Sequence, residues 1–274
     1  MISTRPEPGE GFFWTEASAG PALACRPLAR LAAHLFTTRE WALGSPAPPG
    51  EAAWDDVARA MGVDRGHLVR ARQVHGAGIL VARAGARPPA GPLADADIIV
   101  SNDPSLALAI QTADCVPLLL ADPVTGAVAA AHAGWRGLAS RVPRVTVEAL
   151  AREFGAAPAD LVAAIGPSIS AARYEVDVDV RRRFEAGGFP AEQLARWFLA
   201  ASRPDHWLFD GWQAARDQLL DAGVGADRVH VAALCTASHP DLLCSYRRDR
   251  TAAGRIAGAI RASSGADRQR TGVI

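Results

Sequence analysis

The sequence contains no lysine; all 29 basic residues are arginine. That removes Schiff-base lysine chemistry, an internal aldimine and the P-loop lysine. Any anion site must then be built from guanidinium forks, backbone amides or a metal. Cysteine is scarce: Cys25, Cys115, Cys235 and Cys244 lie far apart, with no CxxC pair. In a chain of 274 residues that is no disulfide framework, and a reducing cytoplasm is the expected location. An excess of either charge is also missing, since 29 acidic residues balance the arginines. Neither nucleic acid nor an anionic membrane is therefore an expected partner. No run of ~18 apolar residues occurs, because Gln111, Asp114 and Asp122 break the most apolar region, so no membrane span is expected. The opening MISTRPEPGEGFFW places Glu7 and Glu10 ahead of any apolar run and does not read as a secretory signal.

What is present reads as a globular α/β protein. Residues 1–50 look irregular, with strand-like pieces at 11–16 and 30–37 and a loop at 44–50. Trp54, Val57, Ala58 and Met61 repeat at helical spacing, and Gly62 ends that helix. From 67 to 132 the pattern turns to strands: HLVRARQVH, GILVARA, ADIIVS, LALAIQTA, CVPLLLAD and AVAAAHA. Short apolar runs bounded by Gly, Pro and Asp-Pro are typical of buried strands. A helix is expected after Gly134, with Pro143 either starting it late or kinking it. A strand at 161–166, helices at 177–187, 191–201 and 210–222, and a strand at 229–235 complete the reading. No linker divides the chain, so one α/β domain over 1–274 with mixed sheets is expected, with 1–29 and 259–274 peripheral.

Three soft ligands stand at the ends of apolar runs: His75 before Gly76, Cys115 after Thr112-Ala113-Asp114, and His132 before Ala133-Gly134. Strand ends beside glycine turns are where α/β proteins place functional groups. Two histidines and a cysteine suit zinc and leave a fourth position for water or substrate. Taken singly, each is as readily a structural residue: cysteine among Val, Leu and Ala is ordinarily inert core. Copper oxidation chemistry is disfavoured by counting. Seven histidines with no H-x-H pair are too few for a blue copper and a trinuclear centre together. The deaminase pattern H-x-E with P-C-x-x-C is also absent.

The motifs RQVHG (72–76), TADC (112–115), AHAGWRG (131–137), IGP (165–167) and SYRRD (245–249) occur together, in an order and spacing that resemble a known family. It is the YfiH-like or "laccase-domain" family, formerly called polyphenol oxidases, of zinc-dependent purine nucleoside phosphorylases. The resemblance runs from about residue 30 to 258. It implies a layered α/β sandwich of mixed sheets, distantly like cysteine hydrolases, and Zn2+ held by His75, Cys115 and His132. It also implies phosphorolysis of adenosine, inosine, guanosine and methylthioadenosine, with deamination of adenosine. The partners implied are purine nucleosides and inorganic phosphate, on a monomer or homodimer. Two segments depart from the pattern: Phe36-Thr37-Thr38-Arg39 runs into Glu40-Trp41-Ala42-Leu43, and Thr251-Ala252-Ala253-Gly254-Arg255 stands where a shorter Thr-Gly-Arg is expected.

An open zinc lowers the pKa of bound water toward ~7, which suits attack on C6 of adenine. Asp114 is the candidate proton shuttle, or else orients a ligand. Arg136, at the strand–helix junction, is the candidate for catalytic phosphate binding, helped by backbone N–H groups. Arg72, Arg247, Arg248, Gln73 and Thr112 are further candidates for substrate binding, although surface salt bridges or structural hydrogen bonds would explain them equally. Two other readings stay open: a metal-free cysteine hydrolase or amidase using Cys115 with His132 or His75, and a non-catalytic nucleoside-binding protein.

Overall fold

A strand buried on both faces reads as a nearly unbroken apolar run, and alternate residues feed two different cores. In CVPLLLAD, Leu118 and Leu120 join one hydrophobic cluster while Leu119 and Ala121 join another. The computed structural model describes residues 5–44, 51–83, 85 and 93–263.

The first strands are Phe12–Ala17 (β1), Gly20–Cys25 (β2), Ala32–Thr37 (β3), Leu68–Val69 (β4) and Ile79–Val81 (β5). Ile98–Ser101 (β6), Ala107–Thr112 (β7), Val116–Ala121 (β8), Val128–Ala133 (β9) and Val162–Ile165 (β10) follow. Glu175–Asp177 (β11), Phe198–Ala200 (β12), His206–Phe209 (β13), Val229–Val231 (β14) and Ile256–Ala262 (β15) complete the order. They form three sheets, β1-β2-β3-β15-β7-β4, β14-β10-β8-β9-β6-β5 and β11-β13-β12. The two six-stranded sheets are mixed: β4/β7, β5/β6 and β10/β14 are parallel pairs in otherwise antiparallel surroundings.

The large sheets face each other across a core that includes Leu23, Phe36, Leu108 and Ile110 from one and Ile99, Leu119 and Ala164 from the other. Helix Ala53–Ala60 covers the outer face of the first sheet through Trp54, Val57 and Ala58. Helices Val142–Phe154 and Gly211–Asp221 and the small sheet cover the second, around Phe184, Trp197 and Phe209. The protein is thus a mixed α/β fold with several mixed sheets, as expected.

Several local expectations need correction. Residues 1–50 are not mostly irregular: β1, β2 and β3 occupy much of them, while 45–50 of the expected loop lie outside the described residues. The terminal segments are not peripheral where described. Ile256–Ala262 runs between β3 and β7 in the middle of its sheet, and Cys25 and Leu28 are fully buried. Residues 264–274 fall outside the description. HLVRARQVH is a strand only at Leu68–Val69; from Arg70 onward it is a loop whose backbone bonds largely to side chains, as the site shows. The helix after Gly134 breaks into Trp135–Ala139 and Val142–Phe154 at Arg141, whose φ is +60°, with Pro143 opening the second piece. Helix 191–201 stops at Trp197, where Phe198 enters β12.

Candidate active site

The turn between β7 and β8 is only Ala113–Cys115, and Asp114 has φ +85°, a left-handed conformation that costs a non-glycine residue about 1 kcal/mol or more. Strand β9 lies beside β8 with Val116 opposite Ala133, so Cys115 arrives next to Gly134. A Cβ at Gly134 would sit 2.8 Å from the Cys115 Sγ and 3.2 Å from His75 Cδ2. Glycine is required here because the sulfur and the imidazole occupy the space a side chain would take.

His132 is the last residue but one of β9, and its backbone N–H donates to the Asp97 carbonyl of the neighbouring chain segment at 2.8 Å. Asp97 is fully buried and organises the third element. Its carboxylate accepts from the backbone N–H of Val74 (3.2 Å), His75 (3.0 Å) and Gly76 (2.7 Å), which clamps the 73–76 loop and holds His75 at φ +60°. Oδ1 also lies 2.8 Å from His132 Nδ1. A carboxylate only accepts, so Nδ1 carries the hydrogen and Nε2 is left facing the cluster.

The ligand atoms of His75, Cys115 and His132 lie within 4.8 Å of one another, and the two imidazoles meet edge to face at 4.8 Å between centroids. Burial pushes the Cys115 thiol up, but the charge of His132 and hydrogen bonds from both histidines outweigh it and bring the pKa down to about 6. Burial opposes protonation of His132, yet the Cys115 thiolate and Asp97 raise it to about 9. Burial likewise pushes the Asp97 carboxyl up, and the His132 hydrogen bond and backbone donors prevail and hold it below the usual range. Without a metal the cluster is therefore a thiolate–imidazolium pair with a buried carboxylate behind it. One thiolate, two imidazoles, a fixed tautomer and a glycine cradle fit a divalent zinc.

The cluster opens into a cavity of about 680 Å3, within the range of small-molecule sites. Tyr174, Phe209 and Ile169 contribute apolar wall, and Arg136, Arg247, Arg250 and Arg255 contribute positive charge. The Arg136 guanidinium lies 4.2 Å from the Trp135 ring centre, and that of Arg247 lies 4.9 Å from Tyr174.

Of the expected residues, His75, Cys115, His132, Asp114, Arg136, Gln73, Thr112 and Arg247 line this cavity. Arg72 does not: it is exposed and paired with Asp95. Arg248 does not either, because its guanidinium donates to the Thr236 and Leu243 carbonyls and pairs with Asp249. Gln73 is not on a strand, and its amide exchanges two 2.8 Å bonds with the Gln111 backbone, docking the loop on β7. Both Asp114 oxygens are engaged, by Thr236 Oγ1 and by the Arg247 N–H. The helix behind Arg136 has five residues, too short for an anion site of its own, so the guanidinium is what an anion would meet. Sequence reasoning missed Asp97 and Tyr174; Arg255 lies in, and Arg250 beside, the second segment that departs from the family pattern, which the resemblance sets on the substrate side, and only their individual roles went unassigned. Asp97 had one signal, an acid directly ahead of the buried run IIVS, where a charge needs a partner.

A family model described as multi-copper polyphenol oxidoreductase laccase matches residues 51–263. The chain belongs to that family. Among curated relatives it is 41% identical to a purine nucleoside phosphorylase of Streptomyces coelicolor, over 74% of this chain and 78% of that one. It is 39% identical to a purine nucleoside phosphorylase of Bacteroides thetaiotaomicron, where the match spans 60% of each protein, less than two thirds of that relative's length. Among solved structures, YfiH of Bacillus licheniformis superposes with TM-score 0.80 at 28% identity, covering 88% of this chain and 96% of that one. YlmD from Geobacillus stearothermophilus gives 0.79 at 28%, covering 92% and 99%. The copper in the family's description has no counterpart in a multinuclear site: among the described residues, one cluster of three ligands is able to hold a metal. No helix of the described residues is long and apolar enough to cross a membrane.

Proposed function

We propose that this protein is a zinc-dependent purine nucleoside phosphorylase that also deaminates adenosine. The observation that carries the reading is one cavity holding both the His75–Cys115–His132 cluster and arginines that have no carboxylate partner among the described residues, in a chain whose relatives are named purine nucleoside phosphorylases. When bound, zinc supplies Lewis-acid activation of a water or substrate oxygen. His75, Cys115 and His132 would hold it, and Asp97 keeps His132 in the tautomer that presents Nε2.

The remaining residues serve the phosphate and the nucleoside. Arg136 and Arg247 hold the phosphate dianion near C1′ as the purine leaves, each through charge-assisted donors. Asp114 is assigned to positioning, since it grips the Arg247 backbone and Thr236 and has no uncommitted oxygen. Tyr174 and Phe209 exclude water from the sugar and purine. Inosine should release base only with phosphate and yield ribose 1-phosphate, as chromatography will show. Equal rates without phosphate, giving free ribose, would make it a hydrolase.

One observation favours a second reading. Cys115, His132 and Asp97 make a thiolate–imidazolium–carboxylate series suited to a metal-free cysteine hydrolase. Metal analysis separates the two: near-stoichiometric zinc with activity lost on chelation supports the phosphorylase.

A further inference from the structure

Four guanidiniums line the cavity, and its carboxylate lining is Asp114 alone, an excess of three positive charges. Among the described residues, Arg136, Arg247, Arg250 and Arg255 form no ion pair with a carboxylate. Two other arginine groups of this protein are neutralised: Arg65 and Arg70 share Glu51, and Arg196 sits between Glu192 and Asp217. Inorganic phosphate brings two negative charges at most, so it leaves this cavity positive. Packed, unneutralised guanidiniums repel one another and persist where a ligand supplies the missing charge.

Arg250 holds φ +55° and ψ −129°, a conformation that costs a non-glycine residue on the order of 1–3 kcal/mol and is characteristic of functional positions. Its side chain makes no hydrogen bond among the described residues. Arg255 gives its Nη1 hydrogens to the Ala253 and Gly254 carbonyls, which fixes the guanidinium and leaves Nε and Nη2 uncommitted among the described residues. Next to it, Ile256 pairs with Thr112 across β15 and β7. Arg136 and Arg247 belong to other elements, beside Trp135 and Tyr174.

We propose that Arg250 and Arg255 form a second anion subsite that takes a phosphomonoester on the ribose, making a purine nucleoside 5′-monophosphate the preferred substrate. The inference rests on the phosphorylase reading and deepens it. In the step, the C1′–N9 bond breaks and its electron pair stays on the purine. A phosphate oxygen bonds to C1′, and the proton of hydrogen phosphate passes to the base. The products are free purine and ribose 1,5-bisphosphate.

The test compares inosine with inosine 5′-monophosphate at saturating phosphate on zinc-loaded protein. The monophosphate should show a kcat/KM about tenfold higher or more, the scale of one charge-assisted hydrogen bond. Arg250→Ala, an exposed position that folding does not need, should pull that ratio toward one. Equal or poorer use of the monophosphate by a protein that cleaves inosine would overturn the subsite and leave the phosphorylase reading standing. Cleavage of neither compound would overturn that reading instead, and calorimetric titration then decides the subsite. Monophosphate binding at least about tenfold tighter than inosine, and weakened by Arg250→Ala, supports it. Equal binding overturns it.

Discussion

Asp97 Oδ1 sits 2.8 Å from His132 Nδ1 while the same carboxylate accepts the backbone N–H groups of Val74, His75 and Gly76. One buried side chain thus fixes both imidazoles of the cluster, one through its ring and one through its backbone. Asp97→Asn should therefore weaken zinc binding by about 10–100-fold, the usual effect of losing a ligand's outer partner. Competition with a chelator measures it. Unchanged affinity would mean that His132 is oriented by packing alone.

Gly134 is the second test of the cluster. A methyl group there would lie 2.8 Å from the Cys115 Sγ, closer than a carbon and a sulfur can sit. Overpacking of this kind costs about 1–3 kcal/mol, so Gly134→Ala should still fold. Its effect should fall on the metal: the rise in melting temperature on adding zinc should be much smaller than in the wild type. An equal rise would show that the ligands rearrange freely.

The cluster was legible in the sequence because each ligand ends an apolar run, at a glycine or beside a tight turn. What was not legible depends on partners distant in sequence. Asp97 lies 35 residues from His132 and meets it only because β6 and β9 are neighbours. In the sequence Arg72 and Arg248 stand on the same footing as Arg247; in the fold Asp95 and Asp249 neutralise them. Ile256–Ala262 looked like a tail because β15 finds both its partners, β3 and β7, far back in the chain. The small sheet was hidden because Phe198–Ala200 and His206–Phe209 are too short to show a period of two.

A third expectation concerns acid stability. His34 is buried, accepts from the Cys25 N–H at 2.9 Å, and burial pulls its pKa down from 6.5 to about 4, against a smaller opposing effect of the Ala32 carbonyl. Between those values the unfolded chain binds a proton that the folded chain refuses. The contribution of His34 to stability is therefore complete above pH 6.5 and is lost as pH drops toward 4, by roughly 3 kcal/mol in all. His34→Gln cannot titrate, so its urea midpoint should decline less over that range than the wild type's, both measured with chelator present. Parallel declines would place the acid sensitivity elsewhere.

Asp114 decides how the two activities are connected. Deamination moves protons to and from the purine and its leaving ammonia, and a free carboxylate would serve as the carrier. Here neither oxygen is free, since Thr236 Oγ1 donates to one at 2.6 Å and the Arg247 N–H to the other. Asparagine can turn its oxygen to the Arg247 N–H and its N–H2 to Thr236 Oγ1, which accepts as well as donates, so Asp114→Asn should leave Arg247 in place, whereas Asp114→Ala, with no acceptor, should displace Arg247 from the cavity. Phosphorolysis of inosine by Asp114→Ala should then fall with a raised KM for phosphate, and adenosine deamination should fall by a similar factor, because the same turn carries Cys115. With zinc occupancy measured alongside, loss of deamination alone by about 10²-fold in Asp114→Asn, at full zinc and unchanged phosphate KM, would return Asp114 to the role of proton carrier.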